Sequence, residues 1–213
     1  MSSDVLVTTP AQRQTEPHAE AVSRNRRQQA TFRKVLAAAM ATLREKSYAD
    51  LTVRLVAARA KVAPATAYTY FSSKNHLIAE VYLYLVRQVP CVTDVNVPMP
   101  IRVTSSLRHL ALVVADEPEI GAACTAALLD GGADPAVRAV RDRIGAEIHR
   151  RITSAIGPGA DPGTVFALEM AFFGALVQAG SGTFTYHEIA DRLGYVVGLI
   201  LAGANEPSTG GSE

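Results

Sequence analysis

The chain of 213 residues contains no tryptophan and two cysteines, and charged residues make up only 19% of it. Cys91 and Cys124 lie far apart and match neither a zinc-binding nor a thioredoxin spacing. We interpret both as small core or loop residues, with an oxidative sensor as the alternative. Runs of alternating β-branched residues are also scarce, which together with the missing tryptophan indicates an all-helical protein.

The sequence also lacks the patterns of export and membrane insertion. Its N-terminus has no positively charged start followed by an apolar run. The longest apolar stretch, residues 164–177, is short for a membrane span and contains Glu169. We therefore expect a cytoplasmic protein with no membrane partner.

Charge, by contrast, is distributed very unevenly along the chain. Residues 1–76 hold 12 Lys+Arg and 5 Asp+Glu, whereas the remainder holds 9 and 15, which gives +7 and −6. From Arg24 to His76 the counts are 11 and 2, or +9. This asymmetry predicts that the N-terminal part meets a polyanion. Charge alone is equally compatible with a solvated basic face.

Hydrophobic periodicity and capping residues predict a series of helices. The polar residues 1–23 are expected to be disordered, and the three prolines of residues 90–100 predict a loop. N-cap, first-turn proline and capping-box signals mark most helix starts, at Thr52, Pro64, Ser73, Asp134-Pro135, Asp161-Pro162 and Thr185 with Glu188. The predicted helices cover residues 24–46, 53–60, 64–71, a fourth after Ser73, 102–116, 118–129, 135–156, 162–178 and 185–201.

The second and third predicted helices are short, lie in the basic part and are joined by a tight turn at residues 61–63. This is the arrangement of a helix-turn-helix DNA reader. Val62 fills the angle between the two helices, while Ala67 and Phe71, four residues apart, face inward. The third helix is uncharged, and its other side carries hydroxyls and rings suited to phosphates, thymine methyls and base edges, namely Thr66, Tyr68, Thr69 and Tyr70.

Residues Ser47–Leu77 resemble the signature of the tetracycline-repressor (TetR) family of bacterial transcriptional regulators. The resemblance rests on Tyr48, Thr-Val-Arg at 52–54, Val-Ala at 56–57, Val62 and Thr-x-Tyr-x-Tyr-Phe-x-x-Lys at 66–74. It implies an all-α regulator with a three-helix DNA-binding domain and a helical effector-binding and dimerisation domain, about nine helices in total. The expected divisions are a tail at 1–23, the DNA-binding domain at 24–76, the second domain at 77–203 and a flexible tail at 204–213.

The same resemblance assigns base contacts to the third helix and phosphate contacts to Thr52, Arg54 and Lys74, helped by the N-terminus of the fourth helix. Arg24, Arg26 and Arg27, at the start of the first predicted helix, either form a flexible arm that enters a minor groove or belong to a helix start that only touches phosphates. The complete predicted DNA-contacting set is Arg24, Arg26, Arg27, Thr52, Arg54, Pro64, Ala65, Thr66, Tyr68, Thr69, Tyr70 and Lys74.

Three residues around the turn depart from the family pattern. Family members often have glycine where Lys61 stands, because the turn needs a left-handed residue, so we expect slight strain there. Serine is usual at Ala63, so we expect the third helix to lack its side-chain cap. Glycine is usual at Ala65, which affects how closely the helix approaches the DNA backbone.

The predicted helix at 162–178 is apolar on nearly every side and therefore needs neighbours on both flanks. The last helix adds a second apolar face, and Gly174, Gly194 and Gly198 permit close approach. In the TetR family the last two helices form a four-helix dimer interface. The pattern therefore predicts a homodimer that reads the two halves of a palindromic operator, with ordinary monomer core as the alternative.

The other helices of the second domain are expected to enclose a small lipophilic effector, because apolar residues dominate and basic charge is scarce. A long-chain fatty-acyl derivative is preferred, and the resemblance also allows drugs and steroids. Glu169 orients a ligand, pairs across the dimer or faces water, and His109 and His149 are equally open. The predicted lining is Leu85, Leu107, Leu110, Ala111, Val114, Cys124, Leu128, Ile148, Ile152, Phe166, Glu169, Met170, Phe173 and Val177.

An enzyme is disfavoured, because the sequence shows no nucleophile–base pair, phosphate-binding glycine loop or metal-ligand set. We predict no cofactor and no metal. The alternatives are an effector-independent architectural DNA-binding protein and a drug-responsive regulator of an efflux gene. The sequence does not distinguish a repressor from an activator.

Overall fold

The computed structural model describes the backbone of residues 16–204 and the side chains of residues 25–204. This part of the chain contains nine α-helices and no strand, which confirms the all-α prediction. The helices are α1 (Glu16–Leu43), α2 (Val53–Arg59), α3 (Pro64–Tyr70), α4 (Lys74–Gln88), α5 (Met99–Ala111), α6 (Pro118–Asp130), α7 (Pro135–Ile156), α8 (Pro162–Gly180) and α9 (Tyr186–Ala204).

The predicted caps explain where most of these helices begin. Thr52 accepts from Leu55 N at 3.1 Å at the start of α2, and Ser73 accepts from His76 N at 3.0 Å at the start of α4. Asp134 and Asp161 cap α7 and α8 in the same way, each followed by a first-turn proline. At α9 the predicted capping box of Thr185 and Glu188 forms in both directions, at 3.1 and 2.7 Å.

Two helix boundaries differ from prediction. α1 begins at Glu16 rather than Arg24, so only residues 1–15 of the predicted disordered tail lie outside the described residues. Its first two turns are polar, yet alanine, glutamate and arginine favour helix and a proline is tolerated in the first turn. α5 spans Met99–Ala111 rather than 102–116, because its N-terminal proline is also tolerated and its end tightens into a 3₁₀ turn.

Helices α1, α2 and α3 form the N-terminal domain, and α4 packs against α1 on one side and against α6 and α7 on the other. Helices α5 and α9 pack together, as do α8 and α9. The buried residues form one hydrophobic cluster that runs from Val35 in α1 to Leu201 in α9. α4 is therefore the element that connects the two parts of the molecule.

Candidate nucleic-acid interface and internal cavity

The turn between α2 and α3 is held in an unusual backbone conformation. Lys61 has a φ of 53°, in the left-handed region that glycine adopts without cost. Val62 N donates to the Ala57 carbonyl at 2.9 Å, which closes the end of α2. The strain expected at Lys61 is thus confirmed.

α3 presents a small uncharged face to solvent. Ala67 and Phe71 are fully buried, as predicted, whereas the side chain of Tyr68 is 51% exposed. Ala63, at the N-cap position, makes no side-chain hydrogen bond, which confirms the expected missing cap. Of the predicted contact residues on this helix, the exposed ones are Pro64, Ala65, Thr66, Tyr68 and Thr69.

Tyr70 differs from this group, because it is half-buried rather than on the exposed face. Its ring lies edge-on to Phe32 of α1, with ring centroids 6.1 Å apart, and Phe32 stacks on Phe71 at 5.1 Å. The ring of Tyr70 therefore helps to attach α3 to α1. Helical spacing alone did not reveal this, since the partner Phe32 comes from another helix.

Of the three residues predicted to bind phosphates around α2 and α4, two make contacts within the protein. Arg54 is exposed on α2, and the Thr52 hydroxyl caps the same helix. Lys74 is turned inward, with Nζ donating to the Tyr48 carbonyl at 3.0 Å and lying 4.3 Å from the centre of the Tyr48 ring. Lys74 therefore ties the start of α4 to the loop before α2, a local role that the sequence analysis missed.

The arginines near the N-terminus do not form a flexible arm. Arg26 and Arg27 are exposed and lie within α1, because this helix begins at Glu16. The backbone of Arg24 is also helical, but its side chain lies outside the described residues. The predicted flexible arm is therefore wrong for Arg26 and Arg27, which lie on the exposed surface of a helix.

Directly after α3, two polar contacts join α4 to α7. Ser73, the cap of α4, donates to Asp134, the cap of α7, at 2.9 Å. Two turns further along, the buried Glu80 accepts from Arg143 and lies 3.6 Å from His76. Burial alone would raise the pKa of the Glu80 carboxyl, but the hydrogen bonds from His76 and Arg143 outweigh it and hold the pKa below its usual range.

A cavity of about 410 Å³ lies between α4, α6, α7, α8 and α9. Four of the predicted lining residues do line it, namely Cys124, Leu128, Phe173 and Val177. Burial raises the pKa of the Cys124 thiol to about 12, which fits its interpretation as an inert core residue. Wall residues that the prediction omitted are Tyr82, Gly121, Thr125, Leu129, Arg141, Asp142, Ile144, Leu176 and Tyr186.

The remaining predicted lining residues do not reach this wall. Most belong to the solid core, because an inward-facing position does not distinguish close packing from a cavity wall. Phe166 and Met170 instead lie on the surface of α8, 60% and 51% exposed. Those in the core or packed against it are Leu85, Leu107, Leu110, Ala111, Val114, Ile148 and Ile152.

Glu169 and His149 form a pair between α8 and α7, with Glu169 Oε1 2.8 Å from His149 Nδ1. Neither residue is on the cavity wall. Of the roles left open for Glu169, the structure shows a contact within the chain.

Apolar side chains remain exposed on the last two helices. Tyr195 and Leu199 of α9 are 72% and 57% exposed, and Met170 of α8, which is 51% exposed, lines one groove together with Tyr195. A groove between the two helices runs past Gly174, where a bulkier residue would fill it. By length and composition alone α8 could cross a membrane, but an apolar interface helix has the same properties.

Comparison with known proteins shows a match to one family profile and a shared fold with several solved structures. Residues 35–81 match the sequence profile described as bacterial regulatory proteins, tetR family. A TetR transcriptional regulator from Rhodococcus sp. RHA1 superposes with a TM-score of 0.69 at 21% identity, over 85% of this chain and 99% of that chain.

Two further solved structures share the fold and hold ligands. Thermus thermophilus FadR, a TetR-family transcriptional repressor in complex with lauroyl-CoA, has a TM-score of 0.60 at 19% identity, over 85% of this chain and 100% of that chain. Bacillus subtilis FadR in complex with stearoyl-CoA has a TM-score of 0.54 at 14% identity, over 81% and 98%. Both align over nearly their whole length, so the second domain shares the architecture as well.

Proposed function

Through its N-terminal domain this chain belongs to the tetR family of bacterial regulatory proteins, and on that premise we propose that it is a ligand-responsive repressor. It binds a palindromic operator as a homodimer in the cytoplasm and is released by a lipophilic effector. The observation that carries the proposal is the exposed, uncharged face of α3 within a segment of charge +9. Basic charge around such a helix attracts phosphates and leaves the helix free to read bases.

The dimer is supported by the exposed apolar residues of α8 and α9. Scattered apolar residues are normal on a protein surface, but a contiguous apolar face indicates an interaction site. A second copy with the same face would cover it through a two-fold axis. Two recognition helices would then meet successive major grooves, which is the geometry a palindrome requires.

A lipophilic effector is supported by the cavity, whose walls are largely apolar and include Tyr82 of α4. Because α4 begins three residues after α3 ends, a change in its packing would reposition the recognition helix. Our favoured class is a fatty-acyl derivative, which agrees with the acyl-CoA ligands of the two FadR proteins. A coupling of about 1–3 kcal/mol between effector and operator would suffice for regulation.

The test is a gel-shift assay with DNA from upstream of the protein's own gene, repeated with effector panels and rising salt. Tyr68→Ala should weaken specific binding by at least about tenfold, since a lost base contact costs about 1–3 kcal/mol. The melting temperature should hardly change, because Tyr68 is 51% exposed. Tyr68→Phe is the matched control and measures the hydroxyl alone.

Binding should also fall steeply with salt, because phosphate contacts release counterions. If Tyr68→Ala still protects the same palindrome, α3 is not the reading helix. Failure of the wild-type protein to shift any upstream fragment at low salt would exclude the proposed function.

A further inference from the structure

The short link between α3 and α4, residues 71–73, is held by a side chain from the first turn of α4. The Ser72 N–H donates to His76 Nδ1 at 3.1 Å, and the Ser72 hydroxyl lies 3.2 Å from the same nitrogen. Within the described part of the chain the Ser72 amide makes no other hydrogen bond. The imidazole of His76 therefore fixes the point at which the chain leaves the proposed reading helix.

The ring of His76 also packs against the end of α3 directly. Its centroid lies 6.0 Å from that of the Phe71 ring, in an edge-on arrangement. Phe71 is fully buried, and its N–H donates to the Ala67 carbonyl at 3.0 Å, which closes α3. One hydrogen bond and one ring contact thus connect His76 to the last turn of α3.

The hydrogen bond from Ser72 determines which nitrogen of His76 carries a proton. A backbone N–H can only donate, so Nδ1 must accept and holds no proton. The proton of the neutral ring is then on Nε2, which lies 3.6 Å from Glu80 Oε1. A doubly protonated ring is a donor at both nitrogens and cannot accept from Ser72. The observed contact therefore belongs to the neutral ring.

The charged groups around this ring come from α4 itself and from α7. Glu80 faces Nε2, and the same carboxylate oxygen accepts from Arg143 of α7. Asp134, the N-cap of α7, also lies close enough to interact with a charged ring. No hydrogen bond or ion pair joins the described residues of α1 or α6 to His76. Protonation is therefore accommodated on the Glu80 side, whereas it breaks the contact with Ser72.

We propose that His76 is a positioning residue for operator binding, whose neutral ring holds the end of α3 in place and whose protonation releases it. Operator affinity should therefore fall from about pH 8 to about pH 5.5, within the range in which histidine titrates. This inference rests on the proposed DNA-binding function and adds a pH-dependent control to it. A purely electrostatic role for His76 predicts the opposite, since added positive charge strengthens the attraction to phosphates.

The test measures operator affinity by fluorescence anisotropy at constant salt across this pH range. The wild-type protein should lose affinity about 3- to 10-fold on acidification, the usual worth of one hydrogen bond. His76→Phe keeps a ring against Phe71 but has no acceptor, so it should already bind about 3- to 10-fold more weakly at pH 8. His76→Asn places an amide oxygen near the position of Nδ1 and cannot be protonated there. It should match the wild-type affinity at pH 8 and keep it on acidification.

His149→Asn is the control for titration of other histidines, because the His149 side chain is 60% exposed on α7 and pairs with Glu169. It should retain the wild-type pH profile. Wild-type binding that stays constant or tightens on acidification, or a His76→Phe protein that binds like wild type at pH 8, would overturn the inference and leave the proposed function standing. Absence of operator binding by the wild-type protein at pH 8 would instead exclude the proposed function, and this inference with it.

Discussion

The entry to α3 is built from residues that do not favour it. Lys61 adopts a left-handed backbone at φ 53°, and Ala63 gives the helix no side-chain cap. α3 is also only seven residues long, too short to be stable by itself. It is held instead by Ala67 and Phe71, which are fully buried against neighbouring helices. The proposed reading helix α3 therefore depends on tertiary packing more than on local sequence.

Lys61→Gly should raise the free energy of unfolding by about 0.5 kcal/mol. Glycine relieves the left-handed strain, of about 1–2 kcal/mol, and part of this gain is offset by its greater freedom in the unfolded chain. Urea denaturation without DNA measures the change.

Lys46→Gly is the control, because Lys46 is an exposed lysine with no positive φ. It should leave stability unchanged or lower it. A destabilised Lys61→Gly protein would show that the lysine side chain matters more than its backbone.

At this scale the sequence predicted the caps, the strained turn and the inward positions of α3. It could not distinguish residues that line the cavity from residues of the close-packed core in the second domain. Leu107 and Cys124 are both buried at helical spacing, yet only Cys124 borders the cavity. That distinction depends on how five helices are spaced, which no single helix encodes. The unsatisfied hydroxyl of Tyr82 likewise becomes evident only once its neighbours on other helices are placed.

At the scale of elements, the junction between α4 and α7 connects the proposed DNA-reading helix to the cavity. Asp134 caps α7 through Ala136 N at 2.9 Å and accepts from Ser73, the cap of α4, at the same distance. Further along, α7 contributes Arg141 and Ile144 to the cavity wall. A ligand that moves α7 would therefore act on the first residue of α4.

Asp134→Ala and Asp161→Ala form a matched pair, since each removes an N-cap that precedes a proline. Both should lose stability as capping variants do. Only Asp134→Ala also breaks the contact with Ser73. We expect its operator affinity to respond at least several-fold less to effector, as measured by gel shift with and without ligand. An equal response in the two variants would contradict this role of Asp134.

Glu80 should make the junction sensitive to acid. Because its folded pKa is lowered, its stabilising effect is complete above its unfolded pKa of about 4.3 and is lost as the pH falls below that. Glu80→Gln should therefore reduce the free energy of unfolding by about 1–2 kcal/mol at pH 7. The difference from wild type should shrink towards pH 3.

Urea titrations at several pH values measure this difference. Glu45→Gln is the control, because Glu45 pairs with Arg59 on the surface, where solvent screens the interaction. It should change stability little at any pH. A constant gap between Glu80→Gln and wild type across this range would contradict the role assigned to the carboxylate.

The element order followed from the sequence, since proline, glycine and capping residues mark the helix ends. The start of α1 did not, because its first turns are polar and no apolar stripe identifies them. Contacts between distant residues, such as Lys74 with Tyr48, could not be predicted from local sequence patterns either.

At the scale of the whole molecule, the proposed dimer depends on the apolar faces of α8 and α9. Leu199→Glu should give a monomer at micromolar concentration, because a carboxylate in an apolar interface cannot be paired there. Operator affinity should fall at least about tenfold, since the second half-site no longer binds as part of one assembly. Sedimentation velocity measures the mass, and gel shift measures the affinity.

Val95→Glu is the control, because Val95 is 83% exposed in the loop between α4 and α5, away from these helices. It should remain dimeric. A Leu199→Glu protein that stays dimeric would exclude this face as the interface.

The hydrophobic cluster that runs without a break from Val35 to Leu201 limits how the protein can be recombined. A chimeric protein that joins this N-terminal domain to another regulator's second domain must include α4, since α4 packs against α1. A junction after Gln88, in the loop before Met99, keeps α4 whole, but the new second domain must then cover the face of α4 that packs here against α6 and α7. A cut there would also transfer Tyr82, so the exchanged domain would bring part of its ligand preference into the new protein.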